Sequence, residues 1–484
     1  MKEKSSLYGR KLLISAGYAA AGTACLFRAP HGITYPLFAA ATLVLFFLVL
    51  RLQGETWKRS AFGFAAGIMI LSVHVATTGN AHLIAIDKGL MYLLLFMLIL
   101  HSLYDDTKWD VMRYLGAVTD FILTSCTHIF DCITDGIEVF RGRGEPDGTE
   151  GTEGADCDTR KKESPVKYIF LGLMIAVVLL CVIVPLLMSS DAVFAKVLND
   201  LWDLKIDETI MLIGVLFGVL FVASYALIST CSKKIKKLLS NAKDTRTVDS
   251  AVAITFTSVI MMVYVLYCAI QIYYLFLGAG SLPDGYTYAK YAHEGFYELV
   301  AVCLINLVMV LLCRKYSKSS FALPGILTAV CGCTYIMLGS SLYRMILYIE
   351  AYGFTFLRAF VLFALAAIVL VMAAAVALVF RPSFPFVKCA LAAVVMTWVV
   401  FAFSYPDRWI ADYNLKHNYG IEYTVFELST DAVPVITRQW GGDNWGKDVE
   451  KLFRKEFEEA AKKKDFRNFN LSEYYARRAL EQFH

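Results

Sequence analysis

Charge is what this chain has least of. Asp, Glu, Lys and Arg make up only 18% of its 484 residues, whereas soluble domains carry about 25%. That shortage excludes an ordinary water-facing surface. A strong basic excess is missing too. The formal net charge is only +4, and the basic residues are sorted by loop, which reads as membrane orientation and excludes a nucleic-acid-binding surface. Cysteine stops at Cys389, so no disulfide framework holds the C-terminal segment. There is no Gly-rich phosphate loop, no His-Glu-x-x-His, and no Gly-x-Ser-x-Gly in a fitting context. Cys331 and Cys333 would point apart on a helix and have no second Cys/His pair beside them, so no metal site is expected. No cofactor is implied, and no short repeat recurs.

Apolar residues are abundant instead. They make up 58% of the chain, and mean hydropathy is +0.56. They come in runs of about 20, the length that crosses about 30 Å of hydrocarbon. The runs lie at 12–27, 33–50, 61–78, 83–104, 166–188, 209–229, 251–277, 295–313, 322–346, 356–380 and 387–403. The first is marginal. It lacks a clear small-residue cleavage site, and a second run follows closely, so it is read as retained. The fold class expected is all-α: a polytopic transmembrane helix bundle of about 11 spans.

Charge sorts the loops. The N-terminus and the loops after the second, fourth, sixth, eighth and tenth runs are basic, with six basic residues between Lys233 and Arg246. The others are neutral, acidic or weakly basic. The positive-inside rule then places the N-terminus in the cytoplasm and the C-terminal segment outside the cell membrane.

The organisation read from this pattern has five parts. Residues 1–104 form a four-span membrane segment. Residues 105–140 place apolar side chains every three or four positions with Asp110, Asp120, Asp131 and Asp135 between them, an amphipathic cytoplasmic interfacial helix. Residues 141–165, rich in Gly, Glu and Asp, form a disordered linker. Residues 166–404 form a seven-span membrane core. Residues 405–484 form a small, mostly helical extracytoplasmic domain. In it Asn470 opens a last helix, and the unit must pack on the membrane domain or on a small core of its own.

Two polar stretches stand where chemistry or recognition is expected. One is the collar 284–298, with Tyr291, Glu294 and Glu298 running into an apolar helix that carries Asn306 about two turns deeper. Glu294 and Glu298 share a helical face. The other is the corner 343–358, with Arg344, Glu350, Tyr352 and Arg358. Together these eight are the candidate ligand-binding residues. The same tyrosines also suit an aromatic belt, and the charged groups at a span's end reach water. No catalytic residue is assigned. His74, Asp87 and Lys88 fall inside apolar runs, where ionisable groups are costly. Asp87 and Lys88 sit near a span end, and the three are read as interfacial or structural.

Several motifs carry a resemblance. Tyr291-Ala292-x-Glu294-Gly295-Phe296, Ser190-Asp191-Ala192-Val193-Phe194, Tyr348 with Tyr352-Gly353-Phe354-Thr355-x-x-Arg358, Ile410-Ala411-x-x-Asn414, Asp431-Ala432-Val433-Pro434, and Asp465-Phe466-Arg467-x-Phe469-Asn470-Leu471-Ser472 with Arg477 resemble a family of bacterial polytopic membrane proteins. That family is catalogued only as domain of unknown function 4153/4173. Phe354 and Phe466 stand where the family pattern has leucine and tryptophan. The motifs span roughly 166–480. The resemblance implies a multi-pass protein of a bacterial cell membrane and supplies no activity.

The expected function is non-enzymatic. It is binding or transport of a small solute or lipid-like ligand through an outward-facing cavity between the seventh and tenth spans, capped by the tail. A membrane sensor or regulatory partner, reporting from the tail to helix 105–140 and a membrane or cytoplasmic protein, is the alternative. A lipid- or glycan-modifying enzyme using Glu294 or Glu298 as base ranks last, because the outer loops hold only scattered carboxylates. The partners expected are the lipid bilayer, that ligand and that protein, with no nucleic acid.

Overall fold

The fold is taken from a computed structural model that describes residues 2–107, 109–141, 183, 187–190, 196, 208–232, 246–273, 296–318, 320–440, 453, 455, 457 and 466–482. Everything described is helix or turn apart from one isolated bridge, Val248 to Ser317. The helices are α1 (Lys2–Leu26), α2 (Tyr35–Leu52), α3 (Ala61–Val75), α4 (Ala81–Leu103), α5 (Val111–Thr127), α6 (Asp131–Arg141), α7 (Glu208–Ser232), α8 (Ser250–Gln271), α9 (Phe296–Tyr316), α10 (Ala322–Tyr352), α11 (Phe356–Phe380), α12 (Phe386–Phe403), α13 (Pro406–Lys416), α14 (Ile421–Phe426), α15 (Val433–Trp440) and α16 (Leu471–Glu481).

Eight of these, α2, α4 and α7 to α12, are long and apolar enough to cross a membrane. The protein is therefore a multi-pass membrane protein surrounded by lipid. Of the other three expected spans, α1 forms but does not reach the apolar character of the eight, α3 is apolar but only 15 residues long, and residues 166–188 lie almost wholly outside the described residues. So does the linker 141–165. The stretch 105–140 is two helices, α5 and α6, separated by a turn at 128–130.

The chain forms two compact units that interleave along the sequence, residues 1–30, 37–59 and 116–236 in one, and 31–36, 60–115 and 237–484 in the other. In the first, α1 packs along α7, and α6 packs against both. Tyr18 bonds Thr42 at 3.0 Å, and Tyr225 donates to Asp135 at 2.6 Å.

In the second unit, α3 and α4 form an antiparallel hairpin, α12 packs on α3 and α11, and α10 packs on α8, α9 and α11. Local signals set these helices. Asn80, Asp249, Thr355 and Asn470 accept backbone N–H groups at the starts of α4, α8, α11 and α16, satisfying donors that a helix start leaves unpaired. Gly353, at φ +73°, ends α10 in a conformation that side chains resist.

Connectivity sorts the turns of this unit to two ends. Residues 76–80, 353–355 and the chain after α12 lie at one end. Residues 104–110, 246–249, 317–321 and 381–385 lie at the other. The C-terminal helices cap the first end around Ile410, Val425, Ile436, Phe453 and Leu480, with Ala359 of α11 in the same cluster. Asn414 clamps the α10–α11 turn, accepting from Phe354 N and donating to Phe354 O, both at 2.8 Å. Asn470 donates to Thr78 O at 2.9 Å, and Phe469 O accepts from Ile33 N at 2.9 Å. Gly79 has no room for a Cβ, which would run into the Thr430 hydroxyl. The tail thus packs on the membrane helices and also has its own small core.

Candidate functional site

A fully buried polar cluster of the second unit joins α3, α4 and α12. His74 comes from the last turn of α3, Asp87 from the second turn of α4, and Trp398 from the last half of α12. All three are 0% exposed. His74 Nδ1 lies 2.6 Å from Asp87 Oδ2, and Trp398 Nε1 donates to Asp87 Oδ1 at 2.7 Å. His74 Nε2 lies 3.0 Å from the carbonyl oxygen of Ala402.

These partners fix a proton count. A carbonyl oxygen can only accept, so His74 Nε2 carries a hydrogen. At Nδ1 a second proton is then required. Either it sits on the nitrogen and the imidazolium faces a carboxylate, or it sits on Asp87 and the carboxyl donates to a neutral ring. Without it, a nitrogen lone pair would face a carboxylate oxygen at 2.6 Å. A proton held between the two members satisfies both atoms of this contact.

The surroundings keep the cluster dry. Phe363, Phe401 and Phe360 stand 5.2, 5.8 and 6.3 Å from Trp398, and Phe403 stands 4.8 Å from His74. The cluster is fully buried among these rings, so each bond is costly to break. Just beyond α12, Tyr405 adopts φ +52°, an uncommon conformation for a bulky residue. Its ring lies 5.9 Å from His74, with the Arg408 guanidinium 4.2 Å from its centroid.

This placement takes Asp87 away from the water-facing span end at which the sequence put it. Only Lys88 reaches outward, to His31 Nδ1 at 3.0 Å and to within 5.0 Å of the Tyr35 ring. The intervals from 74 to 87 and from 87 to 398 follow no helical period. The available signal was the cost of an aspartate in an apolar run.

The eight candidate ligand residues are placed differently. Tyr291 and Glu294, with the collar 284–295, lie outside the described residues. Glu298 is exposed in the first turn of α9. Asn306 is buried with both ends of its amide used, accepting from Tyr264 at 2.7 Å and donating to Thr334 at 2.9 Å. It stitches α8, α9 and α10 together. Arg344 is buried on α10, and Glu350 and Tyr352 are exposed at its end. Arg358 folds back over that end, donating to the carbonyls of Tyr352 and Gly353 at 3.1 and 2.6 Å, and lies 4.1 Å from the Tyr348 ring centroid. It caps the helix where the dipole favours a cation.

Of the eight, the structure brings together Tyr352 and Arg358. A cavity of about 170 Å³ opens beside Arg358, between Tyr297 of α9, Tyr348 of α10 and Leu357 of α11. Among the described residues no group of three or more His, Cys, Asp or Glu is arranged to hold a metal ion.

A family model described as Domain of unknown function (DUF4153) matches residues 13–439. The chain belongs to the DUF4153 family. The match reaches further toward the N-terminus than the sequence motifs do, taking in α3, α4 and the His74–Asp87 pair, and it ends within α15. No curated protein and no solved structure matches this DUF4153 chain.

Proposed function

We propose that this DUF4153 protein is a proton-responsive solute- or lipid-handling membrane protein, and not an enzyme. In it, proton gain and loss at His74–Asp87 is linked to how the C-terminal helices seat on the bundle. The observation that carries the reading is the proton count. A fully buried pair within the membrane helices keeps its hydrogen bond only while it holds a proton, and the His74 Nε2 contact to Ala402 ties that state to the end of α12. Ionisable groups are costly in that setting and commonly mark ion or proton pathways.

The ligand region of this reading is the cavity beside Arg358 and Tyr348, at the capped end of the same unit. Its volume of about 170 Å³ is below that of usual small-molecule sites, so it suits a headgroup or a small polar moiety. The capped end is assigned to the outside of the cell membrane. The support is the basic residues of the opposite end, Arg314, Lys315, Lys318, Arg381 and Lys388, under the positive-inside rule. The second reading is a membrane sensor. It is favoured by the tail gripping the turns 76–80 and 353–355, which would pass a change in the tail directly to four helices.

The test is pH-difference infrared spectroscopy on the purified protein in lipid, with Asp87→Asn and His74→Gln beside the wild type. The wild type should show a pH-dependent carboxyl or imidazole signal that both variants lose. Liposomes holding a trapped pH dye and carrying the wild type should show proton movement that His74→Gln abolishes. A wild-type spectrum without such a signal, or a signal that survives both substitutions, overturns the proposal.

A further inference from the structure

A second pair of acidic groups lies at the capped end and follows a different logic. Asp407, in the first turn of α13, and Asp431, just before α15, are each 1% exposed. Asp407 Oδ2 accepts from Asn80 Nδ2 at 2.9 Å, from Ser429 N at 3.1 Å and from the Ser429 hydroxyl at 2.5 Å. Asp431 Oδ2 accepts from the Thr78 hydroxyl at 2.6 Å and from Gly79 N at 3.3 Å. Every one of these donors is neutral. The other oxygen of each carboxyl group, Oδ1, is buried and has no hydrogen-bond partner.

Two buried carboxylates held only by neutral donors leave negative charge uncompensated in a medium where charge is costly. Each also leaves one acceptor empty. A proton on Asp407 removes one of the two charges and so the repulsion between them. A hard cation would take six or more oxygens, whereas the pair offers two that are unpartnered.

We propose that Asp407, beside the negative charge of Asp431, is a proton-binding group whose protonated form latches the C-terminal helices onto the α3–α4 turn. The latch is physical. One member grips Asn80, which caps α4, and the other grips Thr78 and Gly79 of the turn itself. Loss of the Asp407 proton sets two carboxylates against each other inside this contact and drives the segments apart.

Ionisable groups on the packed elements do not supply the missing charge. They are Arg408 on α13, over the Tyr405 ring; His82 on α4, stacked 5.3 Å from Phe356; Arg358 on α11, on the α10 carbonyls; Tyr423 on α14, accepting from Phe356 N; Glu427 before Ser429; and Glu473 on α16. None is a hydrogen-bond partner of Asp407 or Asp431. Burial first, and then the charge of Asp431, push the Asp407 carboxyl above the usual carboxylate range, against the hydrogen bonds from Ser429 and Asn80. The folded protein thus binds more protons here than the unfolded chain does. The stabilisation is present below the ordinary carboxylate value and is lost as pH rises through the raised one.

The amides of Gly79 and Ser429 end on these carboxyl groups, so hydrogen exchange of the intact wild-type protein reads the latch directly. After correction for intrinsic rates, their protection should fall about tenfold per pH unit above the transition, as one-proton linkage requires. Asp407→Asn puts a neutral amide in place of the protonated carboxyl group and should keep protection high and flat at alkaline pH, while Asp431→Asn removes the opposing charge and should make the fall smaller. Protection in the wild type that does not change with pH, or that falls equally in both variants, overturns the proposal. So does protection that calcium chloride restores and a chelator removes, which would mark a metal site. His74 and Asp87 are untouched throughout, so this test fails or succeeds apart from the infrared one.

Discussion

The two ends of α4 treat a buried aspartate in opposite ways. At the C-terminal end, Asp106 is surrounded by donors that can carry charge. Lys388 Nζ lies 2.8 Å away, His101 Nδ1 2.9 Å away, and the Tyr114 hydroxyl donates at 2.7 Å. Lys315 pairs with Asp110 at 2.8 Å nearby. At the N-terminal end, Asp407 and Asp431 meet only amides and hydroxyls. Burial works to raise the Asp106 carboxyl, but hydrogen bonds from His101, Lys388 and Tyr114 outweigh it and hold that group far below the usual range. Asp407 is pushed the other way. The same side chain therefore becomes a fixed charge at one end and a proton holder at the other. Burial raises both groups, and only at Asp106 do the neighbours reverse it.

Lys388→Met is the strongest way to break the contrast, because it leaves Asp106 buried without its cation. Removing one partner of a buried pair costs about 3 kcal/mol or more. Thermal unfolding in detergent should show the loss, and Asp106→Asn added to Lys388→Met should recover most of it. Next comes Trp398→Phe, which takes the Trp398 Nε1–H from Asp87 and should cost about 1–3 kcal/mol, as for a buried acceptor that loses its donor. Its fold should otherwise persist, with the infrared signal of the His74–Asp87 pair moved.

Gly353→Ala follows. At φ +73°, with the Tyr419 Cβ 2.6 Å from where the new carbon would stand, it should cost about 1–2 kcal/mol. Proteolysis of the tail should then speed up while the Asp106 end is unchanged. The smallest effect sharpens the comparison. Acidification should weaken the Asp106 end, since a depressed carboxylate contributes stability above its unfolded value and loses it as pH falls toward the folded one. Alkali should weaken the capped end. Each unit of differential shift is worth about 1.4 kcal/mol. Hydrogen exchange near Tyr114 and near Ser429 should therefore move in opposite directions with pH.

How far the sequence could be read depended on the range of the interaction. Length and apolarity alone specify a membrane span, and ten of the expected runs are present as helices, eight of them long and apolar enough to cross. Asn470 starting the last helix was equally visible, because a cap acts over three residues. Asn306 shows the limit. Its depth in a span suggested a ligand site, yet Tyr264 and Thr334 come from two other helices and use up its amide. The His74–Asp87–Trp398 cluster needs α3, α4 and α12 together, and no spacing announces that. The family motifs Tyr352–Arg358, Ile410–Asn414 and Asn470–Ser472 were legible as a set, but their physical role became clear only when Asn414 was seen clamping the 353–355 turn.

The length of α10 has a consequence of its own. Its 31 residues extend about 46 Å, well past the roughly 30 Å of hydrocarbon in a bilayer. The surplus turns form a pillar whose last carbonyls bond Arg358 and whose Glu350 carbonyl takes the Tyr419 hydroxyl at 2.7 Å. The tail is thereby held at a height set by helix rise. A thicker or thinner lipid environment would be felt as tilt of that pillar, and so as a change in the footing of everything resting on it.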